Sequence, residues 1–125
     1  MNLLLDTHVL LWWLADDRSI TKQVRSKIAD AETLVFVSAV SGWEIGIKKA
    51  LGKLAAPDDL ADQVLAGGFS ELPISIADGL IAGALPRHHD DPFDRMLVAQ
   101  ARRHDLTVVT RDAAFSAYGI SVLKA

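Results

Sequence analysis

Cysteine is absent from the 125 residues, and that absence removes disulfides, zinc-thiolate clusters, cysteine-ligated iron-sulfur centres and a cysteine nucleophile together. Any metal must be held by oxygen or imidazole. A basic excess is missing too: 13 lysines and arginines face 16 aspartates and glutamates, for a formal net charge of -3. Were four of those acids to sit on bound cations, the remainder would turn slightly positive, so net charge does not exclude RNA. The apolar N-terminal run has no basic flank and is broken by Asp6 and His8. Neither a secretory signal nor a membrane span is expected, and the expected location is the cytoplasm. No internal repeat, low-complexity tract or linker divides the chain, so residues 1–125 are expected to form a single domain. Half of the residues are hydrophobic, and a chain of this length buries roughly two-thirds of its unfolded surface on folding.

Apolar periodicity orders the elements. Leu3-Leu4-Leu5 reads as a short buried strand, followed just after Asp6 by a helix carrying Val9, Trp12 and Trp13. A helix over Thr21 to Ala29 precedes the β-rich run Leu34-Val35-Phe36-Val37. Ser38 and Ser41 are alternative N-caps for the next helix, whose Trp43, Ile47, Leu51 and Leu54 recur at helical spacing. Pro57-Asp58-Asp59 opens a helix through Leu65 that Gly67-Gly68 ends, and Pro73-Ile74 reads as a very short strand. Ser75 and Asp78 form a capping box for a helix stopped by Pro86, and residues 87–91 form a polar loop. Asp91 caps a helix that starts at Pro92 and carries Leu97, Ala101 and Arg103. Thr107–Thr110 is a strand, Ala113–Tyr118 a brief helix and Ile120–Leu123 a last strand. Strands alternating with helices predict an α/β fold with a mostly parallel sheet covered on both faces.

In such a sheet functional groups gather beyond the carboxyl ends of the strands. Asp6 follows the first strand directly, Asp112 lies two residues past Thr110, Glu44 stands near the start of the helix after the second strand, and Asp94 is in a first helical turn. Four carboxylates from separate stretches can thus converge at one edge. Together they suit a hard divalent cation such as Mg²⁺, which prefers oxygen ligands and keeps sites for phosphate and water. The matching chemistry is hydrolysis of a nucleic-acid backbone. Each acid has a plainer reading beside it. Asp6 and Asp112 can cap the helices that follow them, and Glu44 and Asp94 can complete capping boxes with Ser41 and Asp91. Asp91 favours the N-cap itself. Thr110 can orient a water or Asp112, or satisfy a local backbone bond. His8, His88 and His89 lack a metal-ligand spacing and are expected to face solvent or phosphate. Arg87, Arg95 and Arg111 lie near the inferred acidic edge, where RNA phosphates compete with ordinary surface solvation and ion pairing. Trp12, Trp13, Trp43 and Phe93 are expected in the core or at a dimer interface, and the first two helices are expected to carry exposed partner-binding patches.

Four stretches combine into a resemblance that spans essentially the whole chain: Leu3-Leu4-Leu5-Asp6-Thr7-His8, Ser38-Ala39-Val40-Ser41-Gly42-Trp43-Glu44-Ile45, Asp91-Pro92-Phe93-Asp94-Arg95-Met96-Leu97 and Val108-Val109-Thr110-Arg111-Asp112. In order and spacing they resemble a PIN-domain ribonuclease of the VapC type found in bacterial toxin-antitoxin pairs. The resemblance implies a three-layer α/β/α domain and Mg²⁺- or Mn²⁺-dependent endoribonuclease activity using metal-activated water. It matches the family's acidic quartet, as catalytic and metal-binding residues, to Asp6, Glu44, Asp94 and Asp112, and its hydroxyl position to Thr110. It further implies a homodimer, an RNA substrate, a cognate antitoxin covering the active-site groove, and promoter DNA bound only through that antitoxin. The rivals are a non-catalytic regulatory module whose acids have become helix caps, and a DNA-directed nuclease of related fold. A haloacid-dehalogenase-type phosphatase fits poorly, because Asp6-Thr7-His8 lacks a second aspartate two positions on.

Overall fold

The computed structural model describes residues 1–125. Strand β1 (Leu3–Leu5) is buried at all three positions, as expected for a central strand of a parallel sheet covered on both faces. It pairs with β2 (Val35–Ser38) and β4 (Thr107–Thr110), and β3 (Ser70–Leu72) and β5 (Val122–Lys124) form the edges. The order is β3-β2-β1-β4-β5 with every pairing parallel.

Side-chain alternation along the strands divides the core into two layers. Leu3, Leu5, Val35, Val37 and Val109 pack with Val9 and Leu10 of α1 (Thr7–Leu14), Val24 and Ile28 of α2 (Lys22–Ala29) and Val64 of α4 (Leu60–Ala66). On the other face, Leu4 and Val108 pack with Leu97, Val98 and Ala101 of α6 (Pro92–His104), and with Leu85 at the end of α5 (Ile76–Ala84). Helix α3 (Ala39–Ala50) gives Ile45 to the first layer and Val40 to the second. The result is the expected three-layer α/β/α arrangement. No helix is long and apolar enough to cross a membrane.

Local chemistry moves several boundaries from the sequence expectation. The third strand is Ser70–Leu72 and not Pro73-Ile74; Pro73 has no N–H for a ladder, and its carbonyl instead accepts from Gln100 at 3.1 Å. Ser38, not Ser41, caps α3, its hydroxyl accepting from the Val40 N–H at 3.1 Å. Helix α3 ends at Ala50, and its buried face is Val40, Ser41, Glu44 and Ile45, so the Trp43-Ile47-Leu51 row looks outward. Trp43 is 63% exposed and is not a core residue. Pro57 stands outside α4, Ala113–Tyr118 forms a 3-10 helix, and the last strand begins at Val122.

A buried polar cluster locks α5 and α6 to the end of β2. Gln100, fully buried, is hydrogen-bonded to the Ser38 hydroxyl and donates to Pro73 O and Asp78 Oδ2. Asp78 completes the expected capping box with Ser75 and also accepts from Arg103 at 2.7 Å. Burial pushes the Asp78 pKa up, but bonds from the Ser75 N–H, Arg103 and Gln100 outweigh it and hold it at about 2. A depressed carboxylate pKa stabilises the fold above its unfolded value and loses that contribution as pH falls through the folded one. Asp78→Asn is therefore expected to lower stability near neutral pH by about 1–3 kcal/mol. Urea titrations of the two proteins should converge as pH falls from about 4 towards 2, and a gap that persists there would refute the assignment.

Candidate active site

Chain direction from β1 runs to β2 on one side and returns through β4 on the other, so β1 and β4 border the point where strand order reverses. A crevice at the carboxyl end of such a pair is the usual place for a site. The Asp6 N–H donates to Val109 O at 3.0 Å, which fixes this residue against the end of β4. Asp6 has the extended backbone of an N-cap, yet its side chain makes no cap bond. Its Oδ2 accepts from Thr110 Oγ1 at 2.7 Å instead. The same threonine hydroxyl accepts from the Asp112 N–H at 3.0 Å. Thr110 thus latches the loop after β4 to the loop after β1.

Glu44 lies in the second turn of α3 and is 3% exposed. One of its oxygens meets Lys48, one turn further along the helix. The other, Oε1, is buried with no hydrogen-bond partner, although an orphaned buried oxygen ordinarily carries a desolvation cost of about 1–3 kcal/mol. Asp94 is in the first turn of α6, and Asp91 caps that helix through bonds from the Phe93 and Asp94 N–H groups. Asp112 caps the 3-10 helix by accepting from the Ala114 N–H at 2.9 Å, leaving its Oδ2 for His89.

These acids line one pocket of about 330 Å³ together with His8, Trp12, Lys48 and Arg111. Burial raises the pKa of Asp6, only partly offset by Thr110. Asp94 is pushed up to about 7 by burial and by the charges of Asp6 and Asp91, against the pull of His89. The lining sets the carboxyls of Asp6, Glu44, Asp91, Asp94 and Asp112 against only Lys48 and Arg111 as fixed cations. Its donors are mostly carboxylate oxygens, which suit hard divalent cations, and the unpartnered Glu44 Oε1 is an oxygen such a cation would satisfy. His89, Asp94 and Asp112 also bring ligand-type atoms within 4.8 Å of one another.

Two polar residues in this region escaped the sequence reading. Lys48 was not singled out, although its spacing from Glu44 is that of a helical ion pair. His89 was expected to face solvent or phosphate, but it is half-buried between Asp94 and Asp112. The arginines divide. Arg95 donates to the carbonyls of Ala82, Gly83, Leu85, Pro86 and His89, binding the end of α5 to the following loop, so its guanidinium is committed to backbone. Arg111 lies over Trp12, 4.1 Å from the ring centroid, at the pocket wall. Arg87 is exposed and lines a neighbouring polar cavity.

An open parallel sheet with helices on both faces and an acid-lined pocket at its strand-order reversal defines an α/β/α domain with metal-binding capacity. Residues 3–120 match the PIN domain family, and the chain belongs to that family, on its VapC-type branch. It is 32% identical over 119 residues to Ribonuclease VapC22 of Mycobacterium tuberculosis, covering 89% of this chain and 87% of that one. Among solved structures it is similar to VapBC2 from Rickettsia felis bound to a promoter DNA fragment, with a TM-score of 0.74, 11% identity and 99% and 98% of the two chains covered. It is also similar to a toxin-antitoxin complex from Klebsiella pneumoniae, with a TM-score of 0.65, 21% identity and 96% and 94% covered.

Without a cation, the contribution of Asp94 to stability is greatest below the unfolded carboxylate value of 3.8 and is lost progressively as pH rises through about 7, because its pKa is raised in the fold. With divalent ions chelated, Asp94→Asn is expected to melt a few degrees above the native chain at about pH 8 and to lose most of that advantage at about pH 5. Thermal melts at the two pH values decide this, and an asparagine variant less stable than native at the higher pH would contradict the charge imbalance.

Proposed function

We propose that this chain is a divalent-cation-dependent endoribonuclease that hydrolyses RNA phosphodiester bonds as the toxin of a toxin-antitoxin pair. The observation that carries the reading is the convergence of Asp6, Glu44 and Asp94 on one pocket without any of the three side chains serving as the helix cap open to it. A regulatory module whose acids had become structural would keep them on backbone N–H groups. Asp91 and Asp112 do that, while the other three do not.

Asp6, Glu44 and Asp94 would hold the cation, with Asp112 beside them, and their oxygen chemistry favours Mg²⁺ or Mn²⁺. When bound, such an ion lowers the pKa of water and offsets charge developing on a phosphoryl group. Thr110 keeps Asp6 and Asp112 in register through its two hydrogen bonds. Lys48 and Arg111 supply positive charge on the pocket wall for the RNA phosphates. The Glu44 contact raises the Lys48 pKa and keeps its ammonium charged. The chemistry requires no nucleophilic side chain.

The large apolar side chains of the first two helices mostly pack against the core, which leaves the nearby grooves as the better candidates for partner surfaces. An apolar cavity of about 330 Å³ lined by Leu10, Leu60, Val64 and Leu65 suits an antitoxin segment. VapBC2 from Rickettsia felis is bound to promoter DNA, which supports reading contact with such DNA as made by the toxin-antitoxin pair. Trp43, Ile74, Ile76 and Leu80 are exposed apolar groups on and beside α3 and α5, suited to a second copy of the chain.

Purified protein should yield discrete products from a cellular RNA pool with Mg²⁺ or Mn²⁺ and none with chelator. Asp6→Asn and Glu44→Gln should each lower the cleavage rate by at least about 100-fold. Cation-dependent cutting of DNA in place of RNA would move the reading to a DNA-directed nuclease, and no cutting by folded, antitoxin-free protein would favour a binding module. Leu80→Glu is expected to shift the chain from dimer to monomer in light scattering, and an unchanged mass would remove α5 from the interface.

A further inference from the structure

Asp94 and Asp112 reach the pocket from different elements, α6 and the loop after β4, so their spacing depends on what stands between them. The imidazole of His89 stands there, with Nε2 2.8 Å from Asp94 Oδ2 and 2.9 Å from Asp112 Oδ2. Its other nitrogen is also engaged, because the Asp91 N–H donates to Nδ1 at 3.2 Å. The ring meets Phe115 edge-on at 6.2 Å between centroids. The His89 N–H donates to the Tyr118 hydroxyl at 2.9 Å, and the His89 carbonyl accepts from Arg95 at 3.3 Å. Ring and backbone are therefore both fixed.

A ring nitrogen coordinates a cation only through a bare lone pair. A bare Nε2 on a neutral ring would put the hydrogen on Nδ1, directly against the Asp91 N–H, donor facing donor. Every other protonation state leaves a hydrogen on Nε2, which bonds Asp112 Oδ2 while Asp94 Oδ2 lies in contact with the same nitrogen at 2.8 Å. We infer that His89 is a positioning residue and not a ligand: its Nε2–H holds Asp112, and the ring, standing against Asp94 Oδ2, sets the separation of the two acids, while the carboxylates carry the cation-binding capacity of the cluster. The inference rests on the cation reading of the pocket and deepens it. It reverses the familiar order in which a carboxylate orients a ligating histidine.

Mn²⁺ binding to the full chain, followed by calorimetry and by pulsed electron paramagnetic resonance, tests the assignment without any RNA. His89→Ala should weaken Mn²⁺ binding by about 10–100-fold. His89→Gln, whose amide N–H can reach the place of Nε2–H, should bring affinity back to near the native value. The native Mn²⁺ spectrum should lack a directly coordinated nitrogen. A nitrogen coupling that disappears in His89→Gln would make His89 a ligand and overturn the inference, as would an alanine variant that binds as tightly as native. A native chain that binds no Mn²⁺ at all would overturn the cation reading itself, and the inference with it, a result distinct from native-like binding by the variants.

Discussion

Carboxylates crowded at the shared carboxyl edge of β1 and β4 repel one another, and the surrounding fold holds them together against that repulsion. Asp6 and Asp94 are both pushed toward their neutral forms by burial, and Asp94 further by its charged neighbours. Asp6 precedes α1 and Asp94 lies in the first turn of α6, where the helix dipole favours negative charge. That help is worth about 0.3–1 kcal/mol per site, less than the roughly 1.4 kcal/mol of a single pKa unit, so a helix terminus alone does not offset the push that takes Asp94 up to about 7. Lys48 reaches Glu44 but leaves one of its buried oxygens without a partner. A divalent cation bound there would answer both deficits at once.

Holding repelling groups in place requires anchors that do not depend on the charge they oppose. Thr110 ties the two loops with neutral hydroxyl bonds. Behind α6, Gln100 links Ser38, Pro73 and Asp78, joining the end of β2 to the two helices of the second layer. Arg95, one residue past Asp94, spends its guanidinium on five carbonyls around the end of α5. The first turn of α6 is thereby fixed from the side away from the pocket. Partly satisfied buried polar clusters are costly, whereas fully satisfied ones specify one arrangement; the anchoring clusters are satisfied, and the unpaired oxygen is confined to the pocket.

The sequence was most legible where function and local structure coincide. Asp6, Glu44, Asp94 and Asp112 each follow or begin an element whose apolar period is clear, so their convergence could be read from strand-end placement. The cap of α6, the Ser75–Asp78 box and the two-sided sheet were legible for the same reason. Long-range partners left less trace. His89 sits in a polar loop, and its ring partners come from α6 and from a residue 23 positions away. Trp43 belongs to an apolar row that the structure turns outward, because the buried face of α3 is set by contact with both core layers and not by the strongest periodicity. Pro73-Ile74 looked like a strand by composition, but the ladder needs a donor that proline lacks.

An acidic residue at the start of a helix has two physical uses, and sequence cannot separate them because both favour the same position. A cap directs its oxygen back to the helix N–H groups, as Asp91 does twice and Asp112 once. A site residue forgoes that bond and bears the cost of a carboxylate turned into a crevice. Asp6 is the clearest case: it has the cap backbone and the open N–H groups of α1 beside it, yet its oxygen goes to Thr110 across the sheet edge. Asp112 does both, giving one oxygen to Ala114 and the other to His89, so it belongs to the frame as well as to the pocket. For Asp6 the forgone cap is the physical sign of an acid turned to the pocket, where Glu44 and Asp94 join it from helices already capped by Ser38 and Asp91.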